Sequence, residues 1–222
     1  MKEGSDTLTE ITTKNDLTTS RMTGDERYKQ ILRVAIELFS QRGFSGTTTK
    51  EIARAAGVSE AMVFRHFATK HELYHAILDH KACEGGDLDP FAWAEDAMAR
   101  KDDAELFYQL MLNALTRHER DTDFMRLLFH SALEGHELAE MFVKQNIMPL
   151  YEFLSEYIGK RQKDGAIRKD IKPRVIIRAF VGMMIHHSLN NTLWDKNRRL
   201  LNISNEEAAR AFTEILLKGI CK

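Results

Sequence analysis

The residues best suited to chemistry lie between Thr48 and Lys70. Thr48, Thr49 and Lys50 stand where a helix begins, and free N–H groups and the helix dipole favour phosphate at such a place. Seven residues after Ile52, Ser59 is placed to cap a second short helix, which leaves its first turn free to enter a DNA major groove. On that second helix Glu60, Ala61, Arg65 and His66 fall on the face away from the apolar positions. Lys70 opens the next helix and is placed to reach an adjacent phosphate. The chemistry implied is charge-assisted recognition of a polyanion, with Arg65 nearest the base edges.

Such recognition needs two short helices crossing steeply about a tight turn. Gly57 can take the positive φ of that turn, Ala53 is small where the helices approach, and Ile52, Val58 and Val63 supply a shared core. From Arg21 to Lys81 ten Lys and Arg face seven Asp and Glu, while the whole chain of 222 residues carries a net charge of −1. The positive excess is local and correctly placed for a phosphate backbone. A helical hairpin without a DNA role is the plainer alternative; the flanking residues favour the helix-turn-helix at 48–67.

Other constellations are weaker. His71 and His75 share one helical face at i,i+4, with His80 nearby, a spacing able to hold a metal. A solvated face is expected, and no metal or cofactor is assigned. His186 and His187 are adjacent and must point in different directions, which fits satisfied core histidines. No nucleophile elbow or phosphate loop occurs, so an enzyme has no positive support.

The elements that must position these groups read as helices throughout. Hydrophobic residues make up 43% and charged residues 29% of the chain, and the three prolines are Pro90, Pro149 and Pro173. A chain so poor in helix breakers can be nearly all helix. Two distant cysteines without metal or redox spacing, a polar N-terminus without an apolar signal core, and no long apolar run point to a reduced cytoplasmic protein without a membrane partner. Four capping boxes, Thr23…Glu26, Thr48…Glu51, Thr69…Glu72 and Ser204…Glu207, predict helix starts. The predicted helices run over Asp25 to Gln41 (ended by Gly43), Thr49 to Ala56, Ser59 to Arg65, and from Lys70 past Leu78. Further helices are predicted from Pro90, from Asp102, over Asp121 to Leu133, over His136 to Lys163 with a kink at Pro149, from Pro173 to about Leu193, and from Asn205 to Gly219. The predicted organisation is a disordered arm over 1–22, a DNA-binding domain over 23–84, a linker at Gly85-Gly86-Asp87 and a helical domain over 85–222.

These residues closely resemble the TetR/AcrR family. The likeness runs from about Arg27 to Leu78 and rests on Ile31-Leu32…Ala35…Leu38-Phe39, Gly43-Phe44…Thr47-Thr48-Thr49, Ile52-Ala53…Ala56-Gly57-Val58-Ser59, Phe64-Arg65-His66-Phe67 and Lys70…Leu73. It implies an all-α fold: an N-terminal three-helix head with the helix-turn-helix, a connecting fourth helix, and a C-terminal helical domain for effector binding and dimerisation. It maps a phosphate-contacting aromatic, often tyrosine, onto Phe64, which lacks the hydroxyl. It maps a phosphate-binding lysine onto Lys70.

The expected partners are double-stranded operator DNA, a second copy of the chain and a small apolar or amphipathic effector. The effector is expected among Phe107, Met111, Phe124, Leu128, Phe142 and Met184, with His187 or Asn113 as the polar contact, because methionine and phenylalanine give a deformable apolar lining. Dimerisation is expected through the Pro173 and Asn205 helices, with Phe180, Leu189, Ala208, Phe212, Ile215 and Leu216 at the interface. The leading reading is a repressor released by its effector. The alternative keeps the DNA head but gives the helical domain a protein partner instead.

Overall fold

A computed structural model describes residues 22–83 and 92–221. The expected N-terminal arm (apart from residue 22), the Gly85–Asp87 linker and the Pro90 helix start lie outside the described residues. Among those described, eleven α-helices form and no β-strand, apart from one bridge between Ile167 and Cys221. The helices are α1 (Gly24–Arg42), α2 (Thr49–Ala55), α3 (Glu60–His66), α4 (Lys70–Cys83), α5 (Ala92–Ala99), α6 (Asp103–Arg120), α7 (Thr122–Glu134), α8 (Glu137–Phe142), α9 (Met148–Lys163), α10 (Pro173–Leu189) and α11 (Asn205–Ile220).

The helix starts follow the capping residues. Thr23 and Thr48 form complete capping boxes with Glu26 and Glu51. Thr69 accepts from the Glu72 N–H at 3.0 Å, but the Glu72 carboxylate reaches back to the Ala68 N–H instead, at 2.7 Å. Ser204 accepts from the Glu207 N–H at 3.1 Å. The kink predicted at Pro149 takes the form of a π-helical turn, Val143–Ile147, between α8 and α9. Pro149 offers no N–H and its ring crowds the carbonyl four residues back, so the backbone widens before it. A second π turn, Asn190–Trp194, extends α10.

Two cores hold the molecule together. The first joins Ile31, Leu32, Ala35 and Phe39 of α1 to Ile52, Ala53, Val63, Phe67, Leu73, Tyr74 and Ile77. Phe124 and Leu127 of α7 and Leu138 of α8 complete it, so the head is closed by helices from beyond the boundary expected near residue 84. The second core packs Leu106, Phe107 and Met111 of α6 against Leu154 and Ile158 of α9, Ile177 and Phe180 of α10, and Ala208 and Leu216 of α11. At its edge the half-buried Arg161 grips Asp103 through three N–H···O contacts of 2.7 to 3.1 Å, while the Tyr157 hydroxyl donates to the same carboxylate at 2.6 Å. Removing one member of such a buried, hydrogen-bonded pair strands the other.

Candidate nucleic-acid interface

Helix α2 is fixed at both ends. The Thr48 hydroxyl accepts from the Glu51 N–H at 3.2 Å, and the Thr48 N–H donates to the Glu51 carboxylate at 2.9 Å. The Thr48 hydroxyl and backbone hold the Glu51 carboxyl below the usual range, with Arg42, 2.9 Å away, adding to the effect. At the other end Gly57 takes φ +65°, the Val58 N–H reaches the Ala53 carbonyl at 2.9 Å, and the Gly57 N–H reaches the Arg54 carbonyl at 3.2 Å. This paired pattern satisfies the last carbonyls of α2 and turns the chain sharply into α3.

Helix α3 starts at Ser59, whose hydroxyl accepts from the Met62 N–H at 3.2 Å. Val63 is buried and pins the helix, while Ala61, Phe64 and Arg65 face solvent, Phe64 with 44% of its surface exposed. Thr48 and Lys50 are exposed beside them and Thr49 is half-buried.

Three predicted contact residues have structural duties. Glu60 accepts the Thr49 hydroxyl at 2.6 Å, strapping α2 to α3. His66 is half-buried, its ring 6.2 Å from Tyr28 and 6.3 Å from Phe67. Lys70 donates to the Phe44 carbonyl and lies 4.0 Å above the Phe44 ring, and burial pushes its ammonium below the usual range against the pull of Glu134 and Glu51. Ser45, Thr47, Thr48, Thr49, Phe64, Ala68, Thr69 and Lys70 line one open depression between the starts of α2 and α4. Hydroxyls, backbone N–H groups and one ammonium there suit a backbone phosphate.

The residues expected at the effector site do not converge. Phe107 and Met111 are enclosed in the second core, the Phe107 ring 5.2 Å from that of Phe180, and Met184 joins that core. Phe124, Leu128 and Phe142 belong with the first core, and Asn113 faces solvent. Periodicity shows that these positions are buried but not in which of two cores. A cleft of about 240 Å³ lies elsewhere, between α6, α7 and the chain around the π turn after α10. Of the expected residues only His187 lines it, with Glu119, Arg126, Asn191, Lys196, Arg198 and Asn205. Its lining is mostly polar, with three cations, Arg126, Lys196 and Arg198, and one carboxylate, Glu119, which pairs with Arg198. Burial and the nearby Arg198 push the His187 imidazole below its usual range, and Asn191 lies 3.0 Å from its Nε2. The basic residues after Trp194 were the one sequence signal for this cleft.

The expected dimer residues are also redistributed. Phe180, Ala208 and Leu216 are buried within the chain's own second core, and Leu189 and Phe212 are half-buried. Ile215, at 62% exposure, is the one of the six that faces outward. The periodicity marked the apolar stripe correctly, but on α10 and α11 that stripe faces inward. Their outward faces carry Val175, Ala179, Gly182 and Ile215.

With this geometry in place, the chain can be set beside known proteins. Residues 31–77 match the family described as bacterial regulatory proteins, tetR family. That stretch of the chain is a TetR-family N-terminal domain. Over 60 residues it is 43% identical to the uncharacterized HTH-type transcriptional regulator YvkB of Bacillus subtilis, covering 27% of this chain and 32% of YvkB. Over 123 residues it is 30% identical to the HTH-type transcriptional regulator AcrR of Shigella flexneri, covering 54% of this chain and 56% of AcrR. The matches thus span less than two thirds of either relative. The crystal structure of NalD, the secondary repressor of the MexAB-OprM multidrug efflux pump in Pseudomonas aeruginosa, superposes with a TM-score of 0.62 at 24% identity, over 90% of this chain and 99% of NalD. The fold shared with NalD therefore extends through the C-terminal helices. Among the described residues no helix is long and apolar enough to cross a membrane.

Proposed function

We propose that this chain is a TetR-family transcriptional repressor that binds a palindromic operator as a homodimer in the cytoplasm. The observation that carries the reading is the outward face of Thr48, Lys50, Phe64 and Arg65 on two helices locked by their own caps, turn and core. A rigid pair of this kind presents its second helix to a major groove, and a two-fold dimer presents two of them about one DNA turn apart, roughly 34–36 Å or more. The repressor roles of NalD and other relatives support the direction of control.

Dimerisation is assigned to the outward faces of α10 and α11. Val175, Ala179 and Gly182 recur at helical spacing on α10, and the small Ala179 and Gly182 let a second helix approach closely. A Val175→Glu, Ile215→Glu double variant is expected to sediment as a monomer at micromolar concentration and to lose operator affinity. A dimer that survives both charges overturns the assignment.

A small effector fits this reading best in the polar cleft. Arg126 and Lys196, beside the Arg198–Glu119 pair, suit a polar or anionic molecule better than an apolar one. The second reading, a protein partner on the helical domain, is supported by the filled apolar core around Phe107 and Met111.

The decisive experiment selects binding sites from a random DNA library with the purified chain and measures the winners by gel shift against random sequence. A palindromic consensus bound at least a thousandfold (on the order of 10³) more tightly than random DNA is expected. Equal binding to all sequences overturns the proposal.

A further inference from the structure

We propose that His71, His136 and Glu137 form a transition-metal site that clamps the connecting helix α4 to the start of α8. Glu72, which lies between His71 and His75 in sequence, is turned to the Ala68 N–H, and the fold supplies the pair with a carboxylate from far along the chain. Glu137 Oε1 lies 3.2 Å from His71 Nδ1 and 2.7 Å from His75 Nε2. One donor atom from each of His71, His136 and Glu137 falls within 4.8 Å of the others. Donors around a four-coordinate zinc ion sit roughly 3.3 Å apart for bonds of about 2.0–2.1 Å, so side-chain rotation alone closes the gap.

A second observation points to a ligand. The Nδ1 atom of His136 is buried and has no hydrogen-bond partner, although buried polar atoms normally find one. Its ring is held between Phe44 at 4.2 Å and Tyr74 at 4.7 Å, with the His71 ring 5.5 Å away and nearly parallel. Two imidazoles and a carboxylate select zinc, cobalt, nickel or copper over magnesium or calcium. His71 and Glu137 are exposed, which leaves water room to complete the coordination. His75 then orients the carboxylate through its hydrogen bond, as outer partners of metal ligands do.

The position gives the ion a lever on the DNA-binding head. His71 sits in the first turn of α4, just after α3, and the cluster packs on Phe44 in the loop that leads to α2. A bound ion fixes α4 against α8 and so sets the head's orientation, and in a dimer the spacing of the two heads. This regulatory half rests on the DNA-binding reading above, whereas metal binding does not.

The test titrates the purified full chain, without DNA, with cobalt and then zinc. One cobalt ion per chain with visible ligand-field bands is expected, displaced by one equivalent of zinc and unaffected by excess magnesium. Glu137→Gln and His71→Gln are each expected to weaken binding at least tenfold (an order-of-magnitude figure). Their metal-free melting temperatures establish that they fold. Independently of any variant, zinc is expected to raise the wild-type melting temperature and a chelator to reverse it. No bound ion, or undiminished binding in both variants, overturns the site. Operator affinity is then measured with and without zinc; a change of roughly fivefold or more is expected, and an unchanged affinity overturns the regulatory half alone.

Discussion

Lys70 and Phe44 are joined twice: the Lys70 ammonium donates to the Phe44 carbonyl and lies 4.0 Å above the Phe44 ring. The Phe44 N–H is bound as well, by the Glu134 carboxylate of α7 at 3.1 Å. One residue of the loop between α1 and α2 is thereby held by α4 through its oxygen and by α7 through its nitrogen. The start of α2, where phosphate is expected, inherits that rigidity.

Lys70→Ala is expected to act on both stability and DNA binding. The Phe44 carbonyl loses a charged donor, which costs about 1–2 kcal/mol and lowers the melting temperature by a few degrees. Affinity for operator and random DNA should fall alike, and the slope of log affinity against log salt should drop by about one if the ammonium shares a phosphate. Salt-dependent gel shifts check this; an unchanged slope with a lowered melting temperature makes Lys70 purely a loop anchor.

Arg65 is exposed in the last turn of α3, so its loss should leave stability unchanged. Arg65→Ala is expected to weaken operator binding by about 1–3 kcal/mol and to relax base preference at one position in each half-site. Repeating the binding-site selection with the variant checks it: an unaltered consensus would move Arg65 from base reading to phosphate contact.

Gly43 takes φ 70° and ψ 179°, a region essentially restricted to glycine. A Cβ there would sit 2.0 Å from Glu134 Oε1, displacing the carboxylate that holds the Phe44 N–H. Gly43→Ala is expected to cost about 3 kcal/mol. Gly57 has φ +65° with open space around it, so Gly57→Ala should cost only about 1 kcal/mol. Denaturant titration of the two variants reads the difference, and equal losses would mean that Glu134 moves aside freely.

His118 bonds Ser188 at 2.9 Å, and burial, aided by Arg117, pushes its imidazole from the ordinary 6.5 down to about 4. Between those values the unfolded chain binds a proton that the folded chain refuses. This part of the stability is therefore intact above the unfolded value and is lost as pH falls toward 4. The full window is worth about 3 kcal/mol. Urea titrations near neutral pH and at about pH 5 are expected to show a steeper loss in the wild type than in His118→Gln. Equal losses would show that other groups carry the acid sensitivity.

The helix-turn-helix was legible because its determinants are local. Thr48 with Glu51, Ser59 with Met62, and Gly57 with its turn act within a few residues of chain, so spacing alone specifies them. The helix starts elsewhere were readable for the same reason, and Asp102 and Ser204 cap α6 and α11 where the capping pattern placed them.

What the sequence determined by itself was therefore the set of helices, their caps, the recognition unit and its family. Which apolar stripe faces which neighbour was decided only in three dimensions. Phe124 and Phe107 carry the same one-dimensional signal, yet α7 closes the first core while α6 builds the second. Phe180 and Val175 lie on one helix, and only packing against α6 and α9 shows that the first is interior and the second free. The bonds from Lys70 to Phe44, Glu134 to Phe44 and Glu137 to His71 join groups 26, 90 and 66 residues apart. Periodicity reports burial along one helix, but partners across such separations are set by how the helices dock.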